Sequence, residues 1–222
     1  MPTPRLVLCS LLLGAPLLSY AQSAEPAPYK FYGGLAAYSS EYNDFSHFPG
    51  YFKLPIQATL GYQLRPRLAV QASVAYSSRS GSYSYSTYYD ASGQSYYPTS
   101  GRFTTRYTSL SVLARYTLTR KPEHHVQFDA LGGFTLEHYG GHDAGTKTDS
   151  LQNTTVTTPY EYNYTASTIL ATAGISVRYR FSQRLELVYD LAANYDLNSS
   201  RLYAYNGFTS SAALGLRYRF GH

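Results

Sequence analysis

The chain has 222 residues, 44% of them hydrophobic and 14% charged, and carries a formal net charge of +5. That excess is small and forms no basic run, so it leaves no electrostatic footprint for nucleic acid. The only Cys and the only Met are Cys9 and Met1, both in a leader-like segment, which excludes a disulfide, a thiolate nucleophile and a sulfur metal ligand from the rest.

Residues 1–21 read as a secretory signal peptide. Arg5 supplies the positive region, Leu6 to Leu18 the apolar stretch, and Ser19-Tyr20-Ala21 a small-x-small cleavage site. Pro16 interrupts the apolar run, which makes a membrane-anchoring helix the weaker reading. A short N-terminal segment, 22–28, follows, and 29–222 reads as one β domain. The first predicted strand spans 29–40, where Gly33 and Gly34 blur the alternation and leave its facing open.

From residue 54 the alternation is regular. Leu54, Ile56, Ala58, Leu60, Tyr62 and Leu64 share one side, with Gln57, Thr59, Gly61 and Gln63 on the other. Leu68, Val70, Ala72, Val74 and Tyr76 repeat the pattern, as do Leu110, Val112, Ala114, Tyr116 and Leu118. Predicted strands near 126–137, 169–181, 185–197 and 208–220 continue it. The charges within these strands are Arg115, Asp129, Glu137, Arg178, Arg180, Glu186, Asp190, Asp196, Arg217 and Arg219, and all have the opposite parity to the apolar set. Parity means face on a strand. A closed barrel with an apolar outside and a charged inside accounts for this, because a bilayer admits only helices and closed barrels. A water-soluble ligand-carrying barrel is the competing fold and would turn the apolar parity inward.

Short and long connections alternate along the chain. Arg65-Pro66-Arg67, Thr119 to Glu123 and Ser182-Gln183-Arg184 are tight, whereas 41–52, 78–101, 140–162 and 198–206 read as loops rich in Tyr, Ser, Gly, Thr and Asn. Eight antiparallel up-and-down strands with short turns at one end and long loops at the other follow from this. Gly61-Tyr62-Gln63-Leu64, Arg115-Tyr116-Thr117-Leu118, Arg178-Tyr179-Arg180-Phe181 and Arg217-Tyr218-Arg219-Phe220 each close an even-numbered strand. They predict an interfacial ring of Tyr62, Tyr116, Tyr179 and Tyr218 at the short-turn end, with Tyr76, Tyr195 and Phe208 at the other. Phe134 falls between the rings.

On strand number, turn and loop alternation, and the aromatic-rich last strand, the chain resembles the small eight-stranded outer-membrane barrels of the OmpA transmembrane domain and OmpX. The resemblance covers about Tyr29 to His222. It implies an outer-membrane location in a Gram-negative cell, contact with outer-membrane lipid, and recognition by the barrel-assembly machinery through Leu214, Leu216, Tyr218 and Phe220. Gly221 and His222 follow that signal, where the family ends on an aromatic residue. No peptidoglycan-binding domain is expected.

The inward charges sum to zero, and an eight-stranded barrel is just wide enough for its own side chains. A buried ion-pair network is therefore expected in the lower lumen; a narrow porin-like channel is the alternative. A lipid-modifying enzyme is the second alternative. Glu137-His138 and His142-Asp143 are the available His–acid pairs, but neighbours on a strand face opposite sides, so no catalytic residue is assigned. His124-His125 diverge in the same way, and no metal or cofactor ligand set emerges. Tyr83, Tyr85, Tyr88, Tyr89, Tyr96 and Tyr97, among Ser and Gly, are the candidate loop contacts. Their chemistry is that of a paratope and suggests a surface glycan or protein ligand. The expected function is non-enzymatic: surface interaction, adhesion or envelope integrity.

Overall fold

The computed structural model describes residues 29–40, 55–89, 95–121, 124–151, 154–198 and 207–221. The leader, the 22–28 segment, the 41–52 loop and most of the 198–206 loop lie outside these residues. Eight strands follow in order: β1 (Phe31–Ser40), β2 (Ile56–Arg65), β3 (Leu68–Tyr89), β4 (Ser95–Thr117), β5 (Val126–Leu151), β6 (Thr154–Arg180), β7 (Leu185–Asp196) and β8 (Phe208–Phe220). Each pairs antiparallel with its neighbours, and β1 pairs with β8, closing a barrel. Closure satisfies every strand edge within the wall, which hydrocarbon requires.

Burial alternates residue by residue. Leu60, Val112, Phe134, Ile175 and Leu214 are exposed on the outside, while Gln71, Ser73, Ser111, Asp129, Thr135 and Arg178 are buried within. The wall is thus inverted relative to a soluble barrel. Strand one takes the same arrangement: Phe31 and Leu35 point out, Tyr32 and Tyr38 point in. The registers Phe31↔Tyr62 and Phe31↔Phe220 settle the facing that the glycine pair obscured.

The expectation of long loops at 78–101 and 140–162 is corrected. These stretches are strand. β3 and β4 run 22 and 23 residues, β5 and β6 run 26 and 27, against 10 for β1 and β2. A transmembrane strand needs roughly 9–11 residues, so β3–β6 continue well past the barrel rim as a four-stranded sheet. The β3–β4 ladder reaches Tyr89↔Ser95 and the β5–β6 ladder reaches Leu151↔Thr154. The two hairpins stay joined as far as Thr99↔Lys147. Tyr83, Tyr85, Tyr88 and Tyr89 therefore lie on β3, and Tyr96 and Tyr97 on β4, not on loops. Backbone pairing along the ladder, which side-chain polarity does not report, extends these strands. His142 and Asp143 belong to β5 for the same reason, and Glu137 sits mid-strand.

Candidate functional site: a filled lumen and an aromatic face

The lumen is layered. At the short-turn end, Asp129, with no exposed surface, receives Arg115 at 2.8 Å and Arg178 at 2.6 Å. Arg115 also reaches Asp190 at 2.8 Å, and Glu186 gathers Arg178 at 3.4 Å, Arg180 at 3.6 Å and Arg219 at 3.5 Å. The Thr117 hydroxyl accepts a further guanidinium proton of Arg178, and Ser176 and Gln71 accept those of Arg115. Multiple hydrogen bonds per charge are what a buried ionic cluster needs to offset desolvation. Arg217 is held differently: its guanidinium lies 4.2 Å from the Tyr32 ring centroid and donates to Gln71 at 3.4 Å. Tyr32 in turn lies across Gly61, where a Cβ would fall 2.0 Å from the ring.

Above the ions comes a neutral layer. Ser111 and Thr135 hydroxyls are 2.9 Å apart, Thr135 and Thr172 are 2.8 Å apart, and Thr172 donates to Asn194 at 2.9 Å. Higher still, the Tyr107 hydroxyl donates to Glu137, and Thr168 donates to Asp196 at 2.6 Å. The ten inward charges named from the sequence thus divide. The ionic cluster gathers Arg115, Asp129, Arg178, Arg180, Glu186, Asp190 and Arg219, with Arg217 beside it on Tyr32. Glu137 and Asp196 belong to the upper layer. Strand parity gives the face but not the height at which neighbouring strands meet; that depends on the stagger of the closed barrel.

Outside, Tyr62, Tyr116, Tyr179 and Tyr218 lie near the turn end, joined by Phe31, which packs tilted against Tyr62 at 5.0 Å and stacks on Phe220 at 6.0 Å. Tyr195 and Phe208 pack at 4.9 Å toward the other end, with Tyr76 exposed beside Thr108 in the ladder. Between them the exterior is mainly aliphatic, with Phe134 exposed among the aliphatic side chains. Hydrocarbon accepts such a belt and water does not. The chain is a transmembrane β-barrel of the outer-membrane class.

The extension beyond the rim has two unlike faces. On the side continuous with the lumen stand Tyr83, Tyr85, Phe103, Tyr139, Tyr160, Tyr162 and Tyr164. The opposite face carries Ser78, Ser80, Arg102, Arg106, His138, His142, Asn163 and Thr165, and no Tyr or Phe among the described side chains. The rings are organised: Tyr83 stacks on Tyr85 at 5.8 Å and Phe103 at 6.5 Å, while Tyr160 packs tilted against Tyr162 at 5.8 Å and Tyr139 tilted against Tyr164 at 5.6 Å. Arg79 lies 5.1 Å from the Phe103 centroid. Glycine makes this flatness. A Cβ at Gly141 would stand 2.0 Å from the Tyr164 ring, and one at Gly101 2.5 Å from the Tyr160 hydroxyl. The Tyr83 hydroxyl contacts Tyr160 and donates to Asp143 at 2.8 Å. Bonding to Tyr160, then burial and Asp143, raise its pKa above the ordinary phenol value. Tyr160 and Tyr162 lie in the 140–162 stretch that reads as a loop, and Tyr164 just beyond it. Their strict alternation with Glu161 and Asn163 is the strand signal that could have placed them.

One pairing escaped the sequence reading: His138 Nδ1 lies 2.8 Å from the Ser167 hydroxyl across β5 and β6. Among the described residues no carboxylate hydrogen-bonds to His138, as the third member of a catalytic triad would. His142 meets Asn163 at 2.8 Å and Glu161 at 3.9 Å on the same exposed face.

No protein-family model matches the chain, and no curated protein matches it. Solved structures similar to it include the N-terminal β-barrel domain of Pseudomonas aeruginosa OprF, at 13% identity and a TM-score of 0.42, covering 88% of this chain and 100% of that one. Ail, the attachment invasion locus protein of Yersinia pestis, shows 15% identity and a TM-score of 0.41, covering 86% of this chain and 97% of its own. A major outer membrane protein of Thermus thermophilus shows 14% identity and a TM-score of 0.45, covering 87% and 100%. At these values the resemblance assigns no activity, ligand or partner.

Proposed function

We propose that this protein is a non-enzymatic barrel of the Gram-negative outer membrane whose four-stranded extension binds an extracellular glycan or protein through its aromatic face. The observation that carries the reading is the segregation of the rings. Over the same four strands one face collects the described Tyr and Phe side chains and the other carries none of them. A sheet exposed to water on both sides has no folding reason to sort its rings onto one surface. Tyr presents broad, rigid, amphipathic area at a small entropic cost, and its hydroxyl adapts to polar partners. Tyr85, Tyr162 and Tyr164 are 55%, 65% and 41% exposed, and they form the accessible part of the face.

The test is a triple substitution, Tyr85→Ser, Tyr162→Ser and Tyr164→Ser, in cells displaying the protein. Adhesion to glycan-coated or protein-coated surfaces is expected to fall to the level of cells lacking the protein. The heat-modifiable gel mobility of the barrel should not change. Adhesion that survives the triple substitution removes the reading.

A further inference from the structure

The distribution of the described charges along the barrel points to a second binding surface, at the opposite end of the molecule. In the lumen, Arg115, Arg178, Arg180, Arg217 and Arg219 are matched one for one by Asp129, Glu137, Glu186, Asp190 and Asp196. On the described part of the outer extension, Arg79, Arg102, Arg106 and Lys147 share the sheet with Asp143 and Glu161. At the short-turn end the described residues instead bring together Lys30, Arg65, Arg67, Arg120, Lys121 and Arg184. Every one of these residues lies in or beside a short turn.

The placement is specific. Lys30 precedes exposed Phe31, Arg65 follows exposed Leu64, and Arg184 precedes exposed Leu185, so each cation adjoins the lipid-facing belt. Arg184 donates to the hydroxyls of Tyr29 at 3.0 Å and Tyr218 at 3.3 Å, which fixes it at the height of the Tyr ring. Arg67 donates to the Arg120 carbonyl at 3.1 Å, which draws the β2–β3 and β4–β5 turns together and sets like charges side by side. Among the described residues no carboxylate side chain sits on this turn surface. A concentration of unmatched positive charge at the interface calls for anions from outside the chain.

We propose that the short-turn end is a binding surface for anionic phospholipid headgroups of the leaflet it faces. The cations reach the phosphate layer from turns that adjoin the apolar belt, as snorkelling Lys and Arg do, and each adds to the attraction of an anionic membrane surface. The aromatic ring at the same height holds them in register with the headgroups. The proposal needs the barrel to sit in a bilayer and does not depend on what the extension binds.

The experiment measures lipid selectivity at the barrel wall. The full chain is reconstituted in phosphatidylcholine vesicles, and the association of spin-labelled phosphatidylglycerol is compared with that of spin-labelled phosphatidylcholine. The expected result is a preference for phosphatidylglycerol at low salt that disappears in 1 M salt, where the screening length shrinks to about 3 Å. The variant K30Q/R65Q/R120Q/K121Q removes cations whose side chains hold no neighbouring turn, and each removal is expected to lower the preference about fivefold at most. R102Q/R106Q, on the outer extension, should leave it intact. Equal association of the two lipids with the wild-type chain overturns the proposal, as does a preference that persists in the quadruple variant. Retention of the chain on purified peptidoglycan sacculi that the quadruple variant loses, with no lipid preference, also overturns it, in favour of a cell-wall partner.

Discussion

Asp129 is the residue on which the lumen's electrostatics converge. It has no exposed surface and is shared by Arg115 and Arg178. Asp129→Asn leaves two buried guanidinium groups with one anion fewer, and breaking a buried pair from one side costs about 3–5 kcal/mol. The expected outcome is a correspondingly lower urea midpoint for the micelle-refolded barrel; an unchanged midpoint would show that the cluster contributes no stability. A steric counterpart lies nearby. Gly61→Val places a side chain where the Tyr32 ring already lies, a Cβ alone coming within 2.0 Å of it. The displaced ring would release Arg217, and overpacking of this kind costs about 1–3 kcal/mol, readable in the same titration. The sequence identified the charges and their face, because parity is local. It did not identify Tyr32 as the partner of Arg217: that contact spans β1 and β8, the two ends of the chain, and exists only because the barrel closes.

At the level of elements, the barrel strands and the extension were not equally legible. Lipid on one side and packed polar groups on the other impose a strong two-residue alternation, so β2, β7 and β8 could be read almost residue by residue. Past the rim both faces meet water. There Ser, Gly and Thr lower the apolar contrast, and the stretches resembled loops although Ser82-Tyr83-Ser84-Tyr85 and Tyr160 to Tyr164 still alternate. The ladder holds these strands through backbone bonds, and the glycines let rings lie flat over the neighbouring strand. Gly141→Val drives Tyr164 off its seat and off Tyr139, whose ring centroid lies 5.6 Å away. Binding to the partner of the aromatic face should fall several-fold. The barrel's unfolding midpoint should stay within about 0.5 kcal/mol of wild type, since the site is remote from the lumen. A lost barrel signature on gels would mean that the extension and the barrel fold as one unit, not as base and appendage.

For the molecule as a whole, the opposed demands of the two solvents fix what the lumen can do. The exterior must be apolar to meet hydrocarbon, so the polar residues are sent inside, where water is scarce and each must find a partner. The ionic cluster at the turn end and the hydroxyl layer above it occupy successive heights of the same narrow bore. An ion entering from the turn end would first have to separate Arg219 and Arg180 from Glu186, then Arg178 and Arg115 from Asp129, and each separation strands a desolvated charge. The wild-type protein in a planar bilayer is therefore expected to show no steady conductance. Substituting the hub on both sides, Asp129→Ala with Arg178→Ala, removes one charge of each sign, keeps the balance and clears volume at the tightest level. Open events should then become detectable. Large, sustained currents through the unaltered barrel would instead mean that the pairs exchange partners faster than ions pass, and would make the cluster a pathway and not a plug.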